Sequence, residues 1–229
     1  MKKIILLITV FCFIAFQVIN AQTDKGRMLN GISSTVNLSG WGSDHLGLGF
    51  SSTKYVSSSG ATSPATKTSF LNLIPKVGYF VIDNLAAGLD LTLSTYSTKN
   101  SDNSKSNGTL LCIGPFARYY IPMDKFSPFA EVNIGIGANN SKNKSSTGST
   151  LSEHKSGVFL LGLWAGMAMP LGDMVTFDAM LGYNHVTYKT KATSGTQIKS
   201  LNLQSGDTKE KVGTFGVKMG FVVFFDIKK

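Results

Sequence analysis

The stretch AGLDLTLSTYS, residues 87–97, constrains this chain more than any other. Large apolar side chains stand at Leu89, Leu91 and Leu93, with Gly88, Asp90, Thr92 and Ser94 between them. This is strand spacing, with one greasy face and one small or polar face that carries a single carboxylate. A soluble barrel turns the leucines inward, and a membrane barrel turns them outward. Every functional expectation depends on which of the two applies.

The chain opens on MKKIILLITVFCFIAFQVINAQ, in which Lys2 and Lys3 precede an apolar run of 13 residues from Ile4 to Phe16. A spanning helix needs roughly 20 such residues, so the segment reads as a secretory leader, residues 1–21, cleaved after Ala21. Ile19 occupies a position where cleavage favours a small residue, and no small residue precedes Cys12 to suggest lipid attachment there. Residues 22–229 then form a single barrel domain. Removing the leader removes Cys12 and leaves Cys112 alone, so no internal disulfide is expected. No later stretch is long and apolar enough for a spanning helix, so any insertion must use strands.

From residue 68 onward, seven segments repeat bulky residues at every second position: 68–81, 85–97, 109–121, 126–139, 158–170, 174–188 and 212–225. An eighth strand is expected at 29–39, with HLGLGFS at 45–51 able to replace or extend it. The connections alternate strictly. Those at 82–84, 122–125 and 172–173 are tight, whereas 53–67, 98–108, 140–157 and 189–211 are long and rich in Ser, Thr, Asn, Gly and Lys. Outer-membrane barrels have this asymmetry, with short periplasmic turns and longer extracellular loops. The expected fold is an all-β, eight-stranded antiparallel up-and-down transmembrane barrel with both termini periplasmic.

Strand parity chooses the face. One parity carries Leu71, Leu73, Leu89, Leu93, Leu111, Ile134, Leu163 and Leu181, and the other carries ten glycines from Gly78 to Gly220 with Asn72, Thr92, Asn133 and Asn184. Glycine weakens a strand that faces water, but it is useful where eight strands close tightly around their own side chains. The glycine face therefore points in, and the leucines face lipid. The charges of the strand cores share the glycine parity: Lys76, Asp90, Arg118, Glu131, Asp178 and Lys218. Hairpin folding sets Lys76 opposite Asp90 and Arg118 near Glu131, and a paired network of this kind plugs a tube. A gated ion path through the same six is the alternative. Tyr79, Tyr119, Phe126, Phe177 and Phe221 share the outward parity near the short turns, as an interfacial girdle does.

At PKVGYFVIDNLAAGLDL (75–91) and GPFARYYIP (114–122) the chain resembles the small outer-membrane β-barrel family related to OmpX and the OmpA membrane domain. The resemblance spans residues 26–225 and lies in strand pattern. It implies a plugged eight-stranded barrel inserted by the barrel-assembly machinery, which reads a terminal aromatic. Here Phe224 and Phe225 are followed by DIKK, which displaces that signal. No peptidoglycan-binding half is expected after the barrel.

Chemistry is sparse. Some barrels of this architecture trim or transfer lipid A acyl chains with a His and a Ser two apart on one strand, whereas this chain offers His185 with Thr187 and no evident acid. Asp44–His45 and Glu153–His154 read as solvated loop pairs, and no cofactor or metal motif occurs. Charge says more. Of the 22 basic residues, the two in the leader are lost, leaving 20 against 13 acidic, a net of +7. The long loops hold 12 lysines (54, 67, 99, 105, 142, 144, 155, 189, 191, 199, 209 and 211) against Asp102, Glu153, Asp207 and Glu210. Without interleaved aromatics this excess does not suggest nucleic acid. It suits outer-leaflet lipid phosphates, lipopolysaccharide included, or an acidic partner, and solvated loops explain it equally. The expectation is a non-enzymatic monomer of the outer membrane, with a lipid A-modifying enzyme and a narrow channel as alternatives.

Overall fold

The computed structural model describes residues 23–37, 49–53, 66–123, 125–190 and 208–226. The leader, the segments 54–65 and 191–207, and Asp44 and His45 lie outside these residues. Nine strands form one antiparallel sheet: β1 (Arg27–Asn37), β2 (Gly49–Thr53), β3 (Thr66–Ile82), β4 (Leu85–Lys99), β5 (Lys105–Tyr120), β6 (Ser127–Lys144), β7 (Thr150–Pro170), β8 (Val175–Thr190) and β9 (Thr208–Asp226).

β1 closes the sheet. It pairs with β9 from Arg27 opposite Asp226 to Asn37 opposite Gly216, and with β3 from Met28 opposite Tyr79 to Ser33 opposite Ile74. β2 takes up the outer part of β3, with Gly49 opposite Phe70 and Thr53 opposite Thr66. The two candidates for the first strand are thus both used, the second extending the first, and the barrel has eight staves. Where the β1–β3 ladder stops, the buried Asn72 replaces it: the Thr35 amide donates to Asn72 Oδ1 at 3.2 Å, and Ser34 Oγ donates to the Asn72 carbonyl at 2.6 Å.

Two of the expected long loops are mostly strand. β4 and β5 stay paired as far as Lys99 opposite Lys105, and β6 and β7 as far as Lys144 opposite Thr150. The connections shrink to five residues each. Asn100 N donates to the Ser104 carbonyl at 2.9 Å around Asn103, which has φ +66°, and Ser145 N donates to the Ser149 carbonyl at 2.8 Å around Gly148 at φ +89°. Hydroxyl-rich sequence marks water, not loop, and threonine and serine pair across strands readily. At the opposite end, Thr23 Oγ1 donates to Asn84 Oδ1 at 2.6 Å and the Lys25 amide donates to Asp83 Oδ1 at 2.8 Å, so residues 23–26 strap onto the β3–β4 turn.

Burial follows parity. Leu71, Leu89, Leu93, Leu111, Ile113, Ile134, Leu163, Leu181 and Phe215 are exposed, the last two at 65% and 75%, a continuous apolar exterior. The interior is more than glycine and ions. One buried cluster at the short-turn end includes Phe80, Phe116, Tyr120, Phe129, Trp164 and Phe224, and a second, towards the long hairpins, includes Leu110, Leu160, Val186 and Tyr188. A large ring fits where a neighbouring strand offers no side chain, so the lumen is filled by summed volume and not by uniformly small residues.

Glycines differ in how much they are needed. A Cβ at Gly114 would meet the backbone of Ile134 and Gly135 at 2.7 and 2.8 Å, whereas one at Gly135 would sit 3.5 Å from Cys112 Cβ. Gly114→Ala is expected to lower barrel stability by about 1–3 kcal/mol and Gly135→Ala by less than half of that. Urea titration of the two reconstituted variants checks it.

Candidate functional site

Lys76, Asp90, Arg118, Glu131, Asp178 and Lys218 all point into the lumen and are buried. Lys76 is the register partner of Asp90, and Arg118 of Glu131. The contacts do not simply follow the register. Lys76 Nζ donates to both Glu131 oxygens at 2.7 Å and is not bonded to Asp90, whose Oδ2 has no hydrogen-bond partner among the described residues. Arg118 donates to Glu131 Oε2 through Nε at 2.8 Å, with Nη2 at 2.6 Å from the same oxygen. Its Nη1 donates to Asp178 and, at 2.9 Å, to the Tyr120 hydroxyl. Thr176 Oγ1 donates to Asp178 Oδ1 at 2.8 Å, and Lys218 Nζ lies 3.9 Å from Glu131 Oε1. Glu131 is therefore the hub, collecting three cations from three other strands.

Each of those cations also lies over an aromatic face: Lys76 over Phe116 at 4.9 Å, Arg118 over Phe129 at 4.1 Å and Lys218 over Trp164 at 3.9 Å. Each ring occupies the space that a glycine leaves. A Cβ would come within 2.8 Å of Phe116 at Gly78, 2.6 Å of Phe129 at Gly166 and 2.6 Å of Trp164 at Gly182. The sequence pattern of glycines is in this respect the imprint of the rings, and the rings supply quadrupole attraction to desolvated cations. A further buried cation on the lumen face, Arg27 at the start of β1, pairs with Asp226 at 2.8 Å across the closing seam. It escaped the sequence reading because the first strand was started two residues later.

Tyr79, Tyr119, Phe126 and Phe221 are exposed on the outer wall near the short turns, and Phe177 is half-buried with its ring 5.4 Å from that of Phe221. Higher on the wall, a groove of about 600 Å³ runs over Ala117, Ala130 and Ala165 between Tyr119, Tyr183 and Phe215.

His185 and Thr187 lie on β8 with Thr187 Oγ1 3.5 Å from His185 Nε2. Their register partners are Leu161 and Gly213 for His185 and Phe159 and Lys211 for Thr187, none of them an acid that could orient the imidazole. Glu153 faces Lys142 at 3.4 Å and Lys155 at 3.9 Å. Among the described residues no three His, Cys, Asp or Glu side chains converge as a metal centre would require.

Nine of the 12 outer lysines are described: 67, 99, 105, 142, 144, 155, 189, 209 and 211. By strand parity all nine stand on the same face as the exposed leucines, and none on the lumen face. Sequence reading placed them in loops and could not give them a side. Strand pairing does.

A closed eight-stranded antiparallel barrel, apolar outside and ionic inside, has the architecture of a small outer-membrane barrel. The chain is similar to the solved structure of Neisserial surface protein A (NspA), at 17% identity over 88% of this chain and 98% of that one, with a TM-score of 0.45. It is also similar to two Pseudomonas aeruginosa proteins. For the outer membrane protein OprG the identity is 16%, the coverage 90% of this chain and 99% of that one, and the TM-score 0.39. For the N-terminal β-barrel domain of OprF the corresponding values are 13%, 88%, 98% and 0.38. No protein-family model and no curated protein matches the sequence.

Proposed function

We propose that the exported chain is a non-enzymatic integral outer-membrane barrel, structural or surface-interacting, with a plugged lumen and with both ends of the barrel domain on the periplasmic side. The barrel-assembly machinery inserts it, and it works as a monomer. Its lysine-bearing outer end meets the phosphates of outer-leaflet lipids, lipopolysaccharide among them, with an acidic partner as the other candidate. One observation carries this reading: the six ionic groups of the strand cores face inward while the aliphatic residues of the same strands face outward. In water that arrangement would leave a wall of aliphatic side chains wet; in a bilayer the same wall meets hydrocarbon, and the paired charges stay inside, away from it. The plug is supported by the Glu131 cluster together with the rings packed beside it.

Two measurements test it. The detergent-folded protein should migrate differently in electrophoresis before and after boiling, and a chain recovered soluble from the periplasm would overturn the membrane reading. Planar-bilayer recording should show no steady current from the native protein, whose lumen holds both the ion cluster and the rings, and reproducible current steps would overturn the plug. Lys76→Ala should likewise stay silent.

A further inference from the structure

We propose that Lys67, Lys99, Lys105 and Lys144 form a binding row for the phosphate groups of a membrane lipid headgroup, on the outer face of β3–β6. The proposal rests on the membrane reading and adds a defined site to it. The four lysines are successive register partners: Lys67 opposite Lys99, Lys99 opposite Lys105, and Lys105 opposite Lys144. Directly opposed residues share a face, with Cβ atoms about 4.5–5.5 Å apart, and like charges so placed repel. A row of four is therefore unfavourable until an anion lies among them. No carboxylate of the described residues forms an ion pair with any of the four; Glu153, on the same face of β7, is taken by Lys142 and Lys155.

What lies beneath the row identifies the anion. Two residues down β3, β4 and β5 the same face carries Ser69, Ser97 and Asn107, and six residues down it carries Leu73, Leu93 and Leu111; on β6 the same steps hold Lys142 and Ala138. Six residues of strand span about 20 Å. A strand tilt of roughly 40° makes that about 15 Å along the membrane normal. Amine, then hydroxyl and amide, then hydrocarbon is the order in which a phosphorylated lipid presents phosphate, sugar or glycerol, and acyl chain. Lysine stems lying along the wall bring the ammonium groups down towards that phosphate. A soluble anion has no reason to select the face that continues into the aliphatic belt. A lipid has no other face to meet.

The test uses the full barrel in phosphatidylcholine vesicles containing equal traces of bisphosphorylated lipid A and its dephosphorylated form, with lipid retained by the protein quantified by mass spectrometry. The native barrel should retain the phosphorylated form preferentially, and each single Lys→Gln replacement in the row should reduce that preference about fivefold, the equivalent of about 1 kcal/mol per lysine near a charged lipid surface. A face exchange, K67Q/K99Q with T68K/T98K, keeps net charge and moves two cations to the other parity, where Thr68 and Thr98 lie 3.1 Å apart. It should not restore the preference, and restoration would overturn the row in favour of general surface charge. Equal retention of both lipids by the native barrel, or complete displacement by inorganic pyrophosphate at matched phosphate concentration, also overturns it. If heat-shifted migration is normal in these experiments, only the row fails; if the shift is absent from the native protein, the membrane reading fails with it.

Discussion

Glu131→Gln is expected to lower the unfolding free energy of the reconstituted barrel by about 3–5 kcal/mol, the range for removing one partner of a buried ion pair. The substitution keeps the side-chain shape and deletes only the charge. Lys76 at 2.7 Å, Arg118 at 2.6 Å and Lys218 at 3.9 Å then share one fewer anion in a volume with almost no exposure to solvent. Asp178 still neutralises one end of Arg118, so the two lysines carry most of the loss. Asp90→Asn provides the internal comparison. Asp90 is as buried, but its Oδ2 has no hydrogen-bond partner among the described residues, and it meets Lys76 and Lys218 through their field and not through a direct ion pair, so a clearly smaller loss is expected. Urea unfolding followed by tryptophan fluorescence reads both variants. Equal effects at the two positions would show that Glu131 is not the hub.

The second large effect lies on the other side of the wall. Leu89 is half-exposed in the middle of the aliphatic belt, and Leu89→Arg should destabilise the inserted barrel by about 2–4 kcal/mol. Ser97→Arg lies on the same face of β4, eight residues further along and next to Lys99, where the expected change is about 0–1 kcal/mol. The gradient between the two positions separates hydrocarbon from water more directly than either value alone. An exterior in contact with water would tolerate both replacements equally.

Much of this molecule is legible in the sequence because a barrel strand is a two-letter code. The alternation at 87–97 fixes which residues share a face, and the glycines say which face is crowded; the exposure of Leu89 and Leu93 follows. Neighbouring-strand pairs are also readable, since a tight turn fixes register: Lys76 opposite Asp90, and Arg118 opposite Glu131. What parity cannot encode is contact across the lumen. Side chains from opposite staves converge at the axis, so Glu131 takes Lys76 from β3 and Lys218 from β9, and Asp90 is left aside. The rings on Phe116, Phe129 and Trp164 were equally on the inward parity, but a pattern that contrasts leucine with glycine gives an aromatic residue no place. The outer hairpins were hidden for a different reason. Above the bilayer both faces of a strand are wet, so the hydrophobic alternation that signals a strand fades while backbone pairing continues to Lys99, Lys105 and Lys144.

The junction between β1 and β9 joins residues almost 200 positions apart in the sequence, Arg27 to Asp226. Until β9 exists, both margins of the growing sheet are unpaired, and no local event can complete the circle. Assembly therefore ends on its most remote contact, a situation that slows folding and leaves adhesive margins open for its duration. The first and last staves are in this sense a timing element: the barrel reaches its final form only when the two most distant strands of the domain meet and Arg27 finds Asp226.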